Sequence, residues 1–578
     1  MGALKSEEVY PHCRFTIPFL VNASQFVFWD IPGLDLTRDE NWFISPHQRG
    51  ERVSEMFNIL TQPLIRVAPY RQLTLPGVLA ALARDEVDSF PALRPHQGPS
   101  WHMFLVQLGA MALRRSGKSG IPEDEESWLT ALRGLTSGFV EDEPWQLVVE
   151  DWNRPAFLQS PVPDGVALGN PVFTPDGLDL LITAKNHDLK QTIAKQGQPE
   201  DWLFALVSLQ TGEGYGGAGN QGIARMNGGS SSRPMLTLAP LQSSARSMAP
   251  RPGAWFQRDV AVLIETCEAE LKRYDFYSEK GIGLTWLEPW PEGEQLQVKD
   301  LDIWFIEVCR RIRLTIAGEV LCGRKGTSKA TRINAKHLNG ALGDPFTPVH
   351  KIDNKSFTLG GRDFDHKTIV ELLLSGDWDV PLLARFSSCD REGETMALVA
   401  EALARGNSKT EGFKSRILPI AGKVSRALGP RRGELHELAK EQTETAAVFD
   451  RAIGNSLALA AAQGDREKRK KDHYAFAREA RSGFSRAVDS MFFEHLWDRF
   501  GAQDRGREAL DTEKRRWTKA LYSSAKVAFD RALPTIPCAG IFRPRAQARA
   551  RAAFAGTIRY HYPELFDQTE REASDDAA

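Results

Sequence analysis

The chain has 578 residues, 42% of them hydrophobic, which is enough to bury a large core and to build two to four domains. With 73 Lys and Arg against 75 Asp and Glu the formal net charge is −2, so no global basicity announces nucleic acid. Six cysteines without a C-x-x-C pair argue against a disulfide framework or a zinc ribbon, and no stretch has the apolar length of a membrane span. Reduced thiols and the lack of signal-peptide order at the N-terminus point to a cytoplasmic setting.

Residues 1–55 are aromatic, proline-punctuated and without clear periodicity, and are read as an N-terminal extension. A compact pattern starts at Met56 with MFNILTQPLIRV, a strand-like run. Helical spacing follows over Leu75–Arg84, Trp101–Arg115 and Glu125–Leu135. The segment Asp151–Pro163 is proline-rich and extended. From Gly177 an apolar run leads to a polar, basic tip at Lys185, Asn186, His187 and Lys190.

A helix over Asp201–Gln210 leads into Thr211–Arg233, TGEGYGGAGNQGIARMNGGSSSR, which holds eight glycines; MLTLAPL from Met235 leaves it as a strand. Glycine loses more conformational freedom than any other residue on ordering, so such a cluster needs a reason. A flexible surface loop is one. A main chain that must approach something large is another, with backbone amides donating to phosphates or base edges. Helix, glycine loop, strand is a structured frame, which favours the second. As a dinucleotide fingerprint it runs in the wrong order, because strand should precede glycines and helix follow.

Arg258–Phe276 reads as a helix, Gly283–Pro291 as aromatic turns, and Leu301–Leu314 as mixed apolar and arginine positions. The basic run Arg324–His337 fits either a β-ribbon with one cationic edge or an ordinary exposed hairpin. Helices are expected over His366–Leu374 and Thr395–Arg405, the latter ending in the polar tip RGNSKTEG, Arg405–Gly412. Residues 434–563 carry four long helical patterns, about Glu434–Gln463, Arg466–Phe500, Gly506–Leu533 and Phe542–Tyr562. Short breaks between them imply an antiparallel four-helix bundle. Residues 421–563 hold 28 Lys and Arg against 17 Asp and Glu, whereas the last fifteen residues hold six acids and one arginine. Opposed charge blocks suggest local binding faces, although solvated helix surfaces would give the same count.

The expected fold class is α+β: a mixed domain over 56–420, the bundle over 421–565 and an acidic tail over 566–578. No P-loop, H-E-x-x-H or G-x-S-x-G motif is present, and no histidine pair has metal spacing. The chain therefore reads as a non-catalytic binding protein without metal or cofactor. The alternative is a metal-dependent nucleic-acid-processing enzyme with its site around Asp363, Asp365 and His366; a third reading is a scaffold with an inert glycine loop.

FNILTQPLIRV, FPALRPHQ with WHMFLVQLGAMAL, LITAKNHDLK, GYGG at Gly214–Gly217 and RGNSKTEG, in that order and followed by a four-helix bundle, resemble the large-subunit (CasA) family of type I-E CRISPR Cascade surveillance complexes. The resemblance implies a native start near Met56 and a subunit that reads the target-flanking motif (PAM) from the minor groove. It places Gly214, Tyr215, Gly216, Gly217, Gly219 and Asn220 in the groove, where a side-chain-poor backbone fits the narrow width. It implies a basic finger of Lys329, Arg332 and Lys336, drawn by the focused negative potential. Asn407, Ser408 and Lys409 would form a wedge, in place of the family's glutamine, that starts R-loop formation. Lys185, Asn186 and His187 would reach the 5′ handle of the guide RNA. Implied partners are the guide RNA, double-stranded target DNA, the subunits CasB, CasC, CasD and CasE, and the effector helicase-nuclease. The family's occasional zinc-binding cysteine cluster is missing here. By the same likeness Arg431, Arg432 and the Arg466–Lys471 run would contact the displaced strand.

Overall fold

The computed structural model describes residues 57–118, 120–179, 197–241, 249–318, 320–390, 394–406, 409–420 and 431–566. The N-terminal extension, the handle-loop residues Lys185, Asn186 and His187, the wedge residues Asn407 and Ser408, and the acidic tail from residue 567 lie outside the described residues.

A small hairpin of β1 (Ile65–Val67) and β2 (Arg71–Leu73) opens the described chain. Helix α1 (Leu75–Ala83) follows at once because Thr74 caps it: its Oγ1 accepts from the Gly77 amide at 2.9 Å, and Pro76 sits in the first turn. Helix α2 (Gly98–Arg115) is buried along most of its length. In α3 (Glu125–Leu135) Asp124 caps the Ser127 amide, and Glu125 and Glu126 complement the helix dipole. Next come β3 (Pro171–Val172), α4 (Pro199–Gly212), β4 (Met235–Pro240) and α5 (Pro252–Arg273).

Strand β5 (Ile282–Leu284) pairs in parallel with β6 (Leu301–Ile306). Strands β7 (Arg311–Ala317) and β8 (Val320–Gly326) form a hairpin extended by β3, in the order β3-β8-β7. The basic run is thus mostly loop: β8 ends at Gly326, and only a short 3-10 turn, Lys336–Leu338, is regular beyond it. A three-stranded sheet of β9 (Val349–His350), β10 (Lys355–Ser356) and β11 (Trp378–Asp379) is followed in order β10-β9-β11, with α6 (His366–Leu373) between β10 and β11 in sequence.

The stretch expected as a helix over Thr395–Arg405 is instead strand β12 (Met396–Gly406), which turns back into β13 (Lys409–Ile420). Its alanines favour helix in isolation, but Ala397, Ala400, Ala402 and Ala404 are all buried, and β12 is the central strand in the order β13-β12-β4. A central strand with packed neighbours on both faces overrides local propensity. The pleat also explains the two cores. Met235 and Ala239 of β4 and Val399 of β12 point into one core, with Trp101, Trp128, Trp202 and Trp304. Leu236 and Leu238 of β4 and Leu398 of β12 point into the other. Alternation along a strand makes this sheet the wall between them.

The second core runs on into the C-terminal helices α7 (Arg432–Ala461), α8 (Arg478–Gln503), α9 (Arg507–Ala532) and α10 (Arg543–His561). These four pack as expected around Phe449, Phe492, Trp517 and Phe529; Phe529 stacks on Phe554 with centroids 4.4 Å apart. The second helix starts later than the spacing suggests: Lys471–Ala477 is a 3-10 helix, and α8 begins only at Arg478. A run of cations at Arg466, Lys468, Arg469, Lys470 and Lys471 repels itself when wound into helical turns.

Candidate nucleic-acid interface

The glycine stretch is a folded loop with closed hydrogen bonding. Its base is sealed where the Ile223 amide donates to Glu213 O (3.1 Å) and the Arg233 amide to Gly212 O (2.7 Å). Higher up, the Tyr215 amide donates to Gly229 O (2.7 Å). At the tip the Gly216 amide donates to Asn220 O and the Asn220 amide to Gly217 O, both at 2.9 Å. Gly217 (φ +105°) and Gly219 (φ +78°) make this tight turn in a backbone region that L side chains rarely adopt.

Packing also requires glycine at Gly214 and Gly219. A Cβ on Gly214 would lie 2.5 Å from Ser231 O and 2.6 Å from Gly229 O, and one on Gly219 would lie 2.6 Å from Thr327 Cβ. Around Gly217 the space is open. Gly214 is thus part of the interior, whereas Tyr215 (46% exposed) and Gly216 face solvent. Arg310 braces the loop from beneath, donating from Nη2 to Gly214 O at 2.8 Å. On its flank the Ser328 amide donates to Gly219 O at 2.9 Å, and Gln221 Nε2 donates to Ser328 O at 3.1 Å. The loop therefore touches the start of the predicted basic finger.

Within that finger the structure separates the three predicted residues. Lys329 and Lys336 are exposed. Arg332 is buried, which corrects the expectation of a projecting arginine. Its Nη1 donates to Pro289 O (3.0 Å), its Nη2 to Thr285 O (3.1 Å) and Glu288 O (2.9 Å), and it lies over the Trp290 ring at 5.3 Å. Burial pulls this guanidinium down to about 10. Arg332 holds the aromatic turn Thr285–Trp290 in place and has no face left for DNA.

The β12–β13 hairpin stands beside the glycine loop. Gly406 pairs with Lys409, so of the predicted wedge the one described residue, Lys409, begins a strand, and no helix leads into it. The returning arm of the glycine loop runs along β12. The Ser232 amide donates to Leu403 O (3.0 Å), the Leu403 amide to Ser232 Oγ (2.7 Å), and the Arg405 amide to Ser231 Oγ (3.1 Å). The ion pair of Arg405 with Glu213 closes the other arm: Nη1–Oε2 is 2.5 Å and Nη2–Oε1 is 3.0 Å, with both side chains buried. Burial pushes the Glu213 carboxyl above its usual value, against the pull of Arg405 and Arg310. Arg405 Nη2 also lies 3.4 Å from the carbonyl of Asp179, the last described residue before the segment bearing Lys185–His187. Sequence reasoning missed Glu213, Arg310 and Arg405; the one hint was a lone acid among the glycines.

The residues of the alternative enzyme reading are engaged elsewhere. Asp365 caps α6 by accepting from the Thr368 amide (2.9 Å), Asp363 pairs with Lys414 (2.6 Å), and His366 packs on Phe492 and lies 3.2 Å from Asp489. Among the described residues no group of three metal-ligating side chains comes together.

In the bundle, Lys367, Lys471, Arg478 and Arg481 line an open cleft of about 870 Å³ between α6, α7 and α8; Arg481 is paired with Asp450. Arg431 is tied to Glu434 and Asp504, and Arg432 is half-buried. No helix among the described residues is long and apolar enough to cross a membrane.

No family model matches the chain, and no curated protein matches it in sequence. Solved structures do. Thermus thermophilus CasA (Cse1) is similar at 15% identity and TM-score 0.54, covering 87% of this chain and 99% of its own. The CRISPR-associated protein Cse1 from Acidimicrobium ferrooxidans is similar at 14% identity and TM-score 0.54, covering 87% and 98%. Thermobifida fusca Cse1 follows at 13% identity and TM-score 0.52, with the same coverage. The mixed α+β part, the glycine loop beside the β12–β13 hairpin and the C-terminal helices thus together make a CasA-like fold.

Proposed function

We propose that this chain is the non-catalytic large subunit of a type I-E Cascade complex, reading the motif that flanks a target and starting strand separation beside it. One observation carries this reading: the loop that bears the solvent-facing tip at Tyr215–Gly217 is bonded along the end of β12, through Ser231 and Glu213 to Arg405 and through Ser232 to Leu403. A backbone tip with few side chains suits the narrow, degenerate minor groove. A polar hairpin next to it suits a wedge, because guide–target pairing is nearly isoenergetic with the duplex it replaces and a small push at the first pair suffices. Lys329 and Lys336 supply phosphate contacts, with Arg332 supporting them from inside. Lys185, Asn186 and His187 contact the guide handle. The cationic cleft of the bundle tracks the displaced strand and adjoins CasB and the helicase-nuclease.

The test is the assembled complex carrying Gly216→Leu with Gly217→Leu. Duplex binding should fall by tenfold or more while the isolated variant melts within a few degrees of the parent. Unchanged binding leaves the loop inert and overturns the reading. Cleavage of DNA by the purified chain with a divalent metal would favour the enzyme reading instead.

A further inference from the structure

We propose that Arg405 is a positioning residue: its buried pair with Glu213 clamps the glycine loop to the β12–β13 hairpin, so that displacing the loop moves the hairpin turn. The inference deepens the reading above and rests on it only for its consequence in DNA opening.

The geometry is that of a joint with few alternatives. Glu213 is the residue at which α4 ends and the glycine loop begins. Arg405 lies one residue before Gly406, where the hairpin turns, and at the one register shift between β12 and β13. The two meet through a bidentate contact that fixes orientation as well as distance. The Arg405 amide and carbonyl are held at the same point by Ser231 Oγ, at 3.1 and 3.2 Å, from the returning arm of the loop. Both arms of the loop therefore end on one residue of the hairpin. The same guanidinium touches the Asp179 carbonyl, and the Asp179 carboxylate in turn accepts from Gln97 Nε2 (2.9 Å) and lies 2.8 Å from His96 Nε2.

Packed interiors deform between discrete arrangements, not continuously. A buried charge pair shifted by an ångström loses its geometry while both partners stay desolvated, so loop and hairpin must move together or part altogether. By contrast, the exposed pair of Asp363 with Lys414, further along β13, can lengthen into water at little expense.

Amide hydrogen exchange on the full chain tests this, with Glu213→Gln as the mild variant and Arg405→Met as the severe one. In Glu213→Gln, exchange should rise about tenfold or more at Tyr215 and Asn220 and, in parallel, at Arg405 and Thr410, while Leu457 in α7 stays at the parental rate. The double variant should exchange no faster than Arg405→Met alone, the non-additivity of a shared contact. A rise confined to the loop, or an equal rise at Leu457, overturns the proposal. Arg405→Lys, which keeps the charge without the fork, should restore protection only in part. In the assembled complex, Glu213→Gln should slow target opening about tenfold; opening at the parental rate overturns the proposal. Should the parental complex fail to bind flanking-motif duplex at all, the proposed function falls, and the exchange data alone decide the clamp.

Discussion

In the α+β part, arginines are interior fittings. Arg225, Arg310, Arg313 and Arg332 are each at most 6% exposed and donate to backbone carbonyls: Arg225 to Ile303, Phe305 and Leu342, Arg313 to Val149, Asp151 and Arg154. In the helical part Lys471 and Arg478 face solvent, and among the described residues there only Arg499 is a buried arginine. The difference follows from secondary structure. Helices satisfy their own carbonyls, whereas irregular chain between short strands leaves carbonyls that need a donor, and a guanidinium supplies five from one side chain. Removing a cation should therefore unfold one part and merely discharge the other.

The largest effect is expected for Arg332→Gln. Three carbonyls lose their donor, and stability should drop by about 2–4 kcal/mol in denaturant titration. The salt dependence of nucleic-acid binding by the surviving folded fraction should keep its slope, which a projecting finger arginine would not allow. Next come the glycines of the loop. Gly214→Ala drives a methyl into the carbonyls of Ser231 and Gly229 and should lower stability by about 2–3 kcal/mol. Gly217→Ala meets open space and carries only the left-handed backbone strain, about 1 kcal/mol.

A smaller effect sits on the seam between the sheet and the bundle. Burial alone would raise the Asp489 carboxyl, but His366 and Arg416 outweigh it and hold it at about 2, below its ordinary 3.8. A depressed acid stabilises the fold above its unfolded value and loses that contribution as pH falls through its folded value. Stability should thus drop by on the order of 1–2 kcal/mol between about pH 4 and pH 2. Asp489→Asn should flatten that part of the curve in acid-denaturation measurements. The smallest stability change belongs to the bundle: Lys471→Ala with Arg478→Ala should stay within about 0.5 kcal/mol while lowering the salt slope of strand binding by about one per cation removed.

The sequence by itself determined the capped helices and the helical C-terminal part. Thr74, Asp124 and Asp365 cap their helices through contacts three residues away, and the four C-terminal helices follow from apolar spacing with breaks at Gly464 and Pro534–Pro537, although the break read at Gly501 falls three residues later because the second helix runs to Gln503. These are local interactions, readable from neighbours in the chain. It also marked the glycine loop, because eight glycines between a helix and a strand need a reason. Tertiary structure alone decided that Met396–Gly406 is a strand, since β12 is hydrogen-bonded along both edges by the distant strands β4 and β13. It alone decided that Arg332 points inward while Lys329 points out, because the carbonyls that claim Arg332 lie more than forty residues earlier in the chain. And it alone joined Glu213 to Arg405, 192 residues apart, since no local pattern tells a lone acid which distant cation will share its burial.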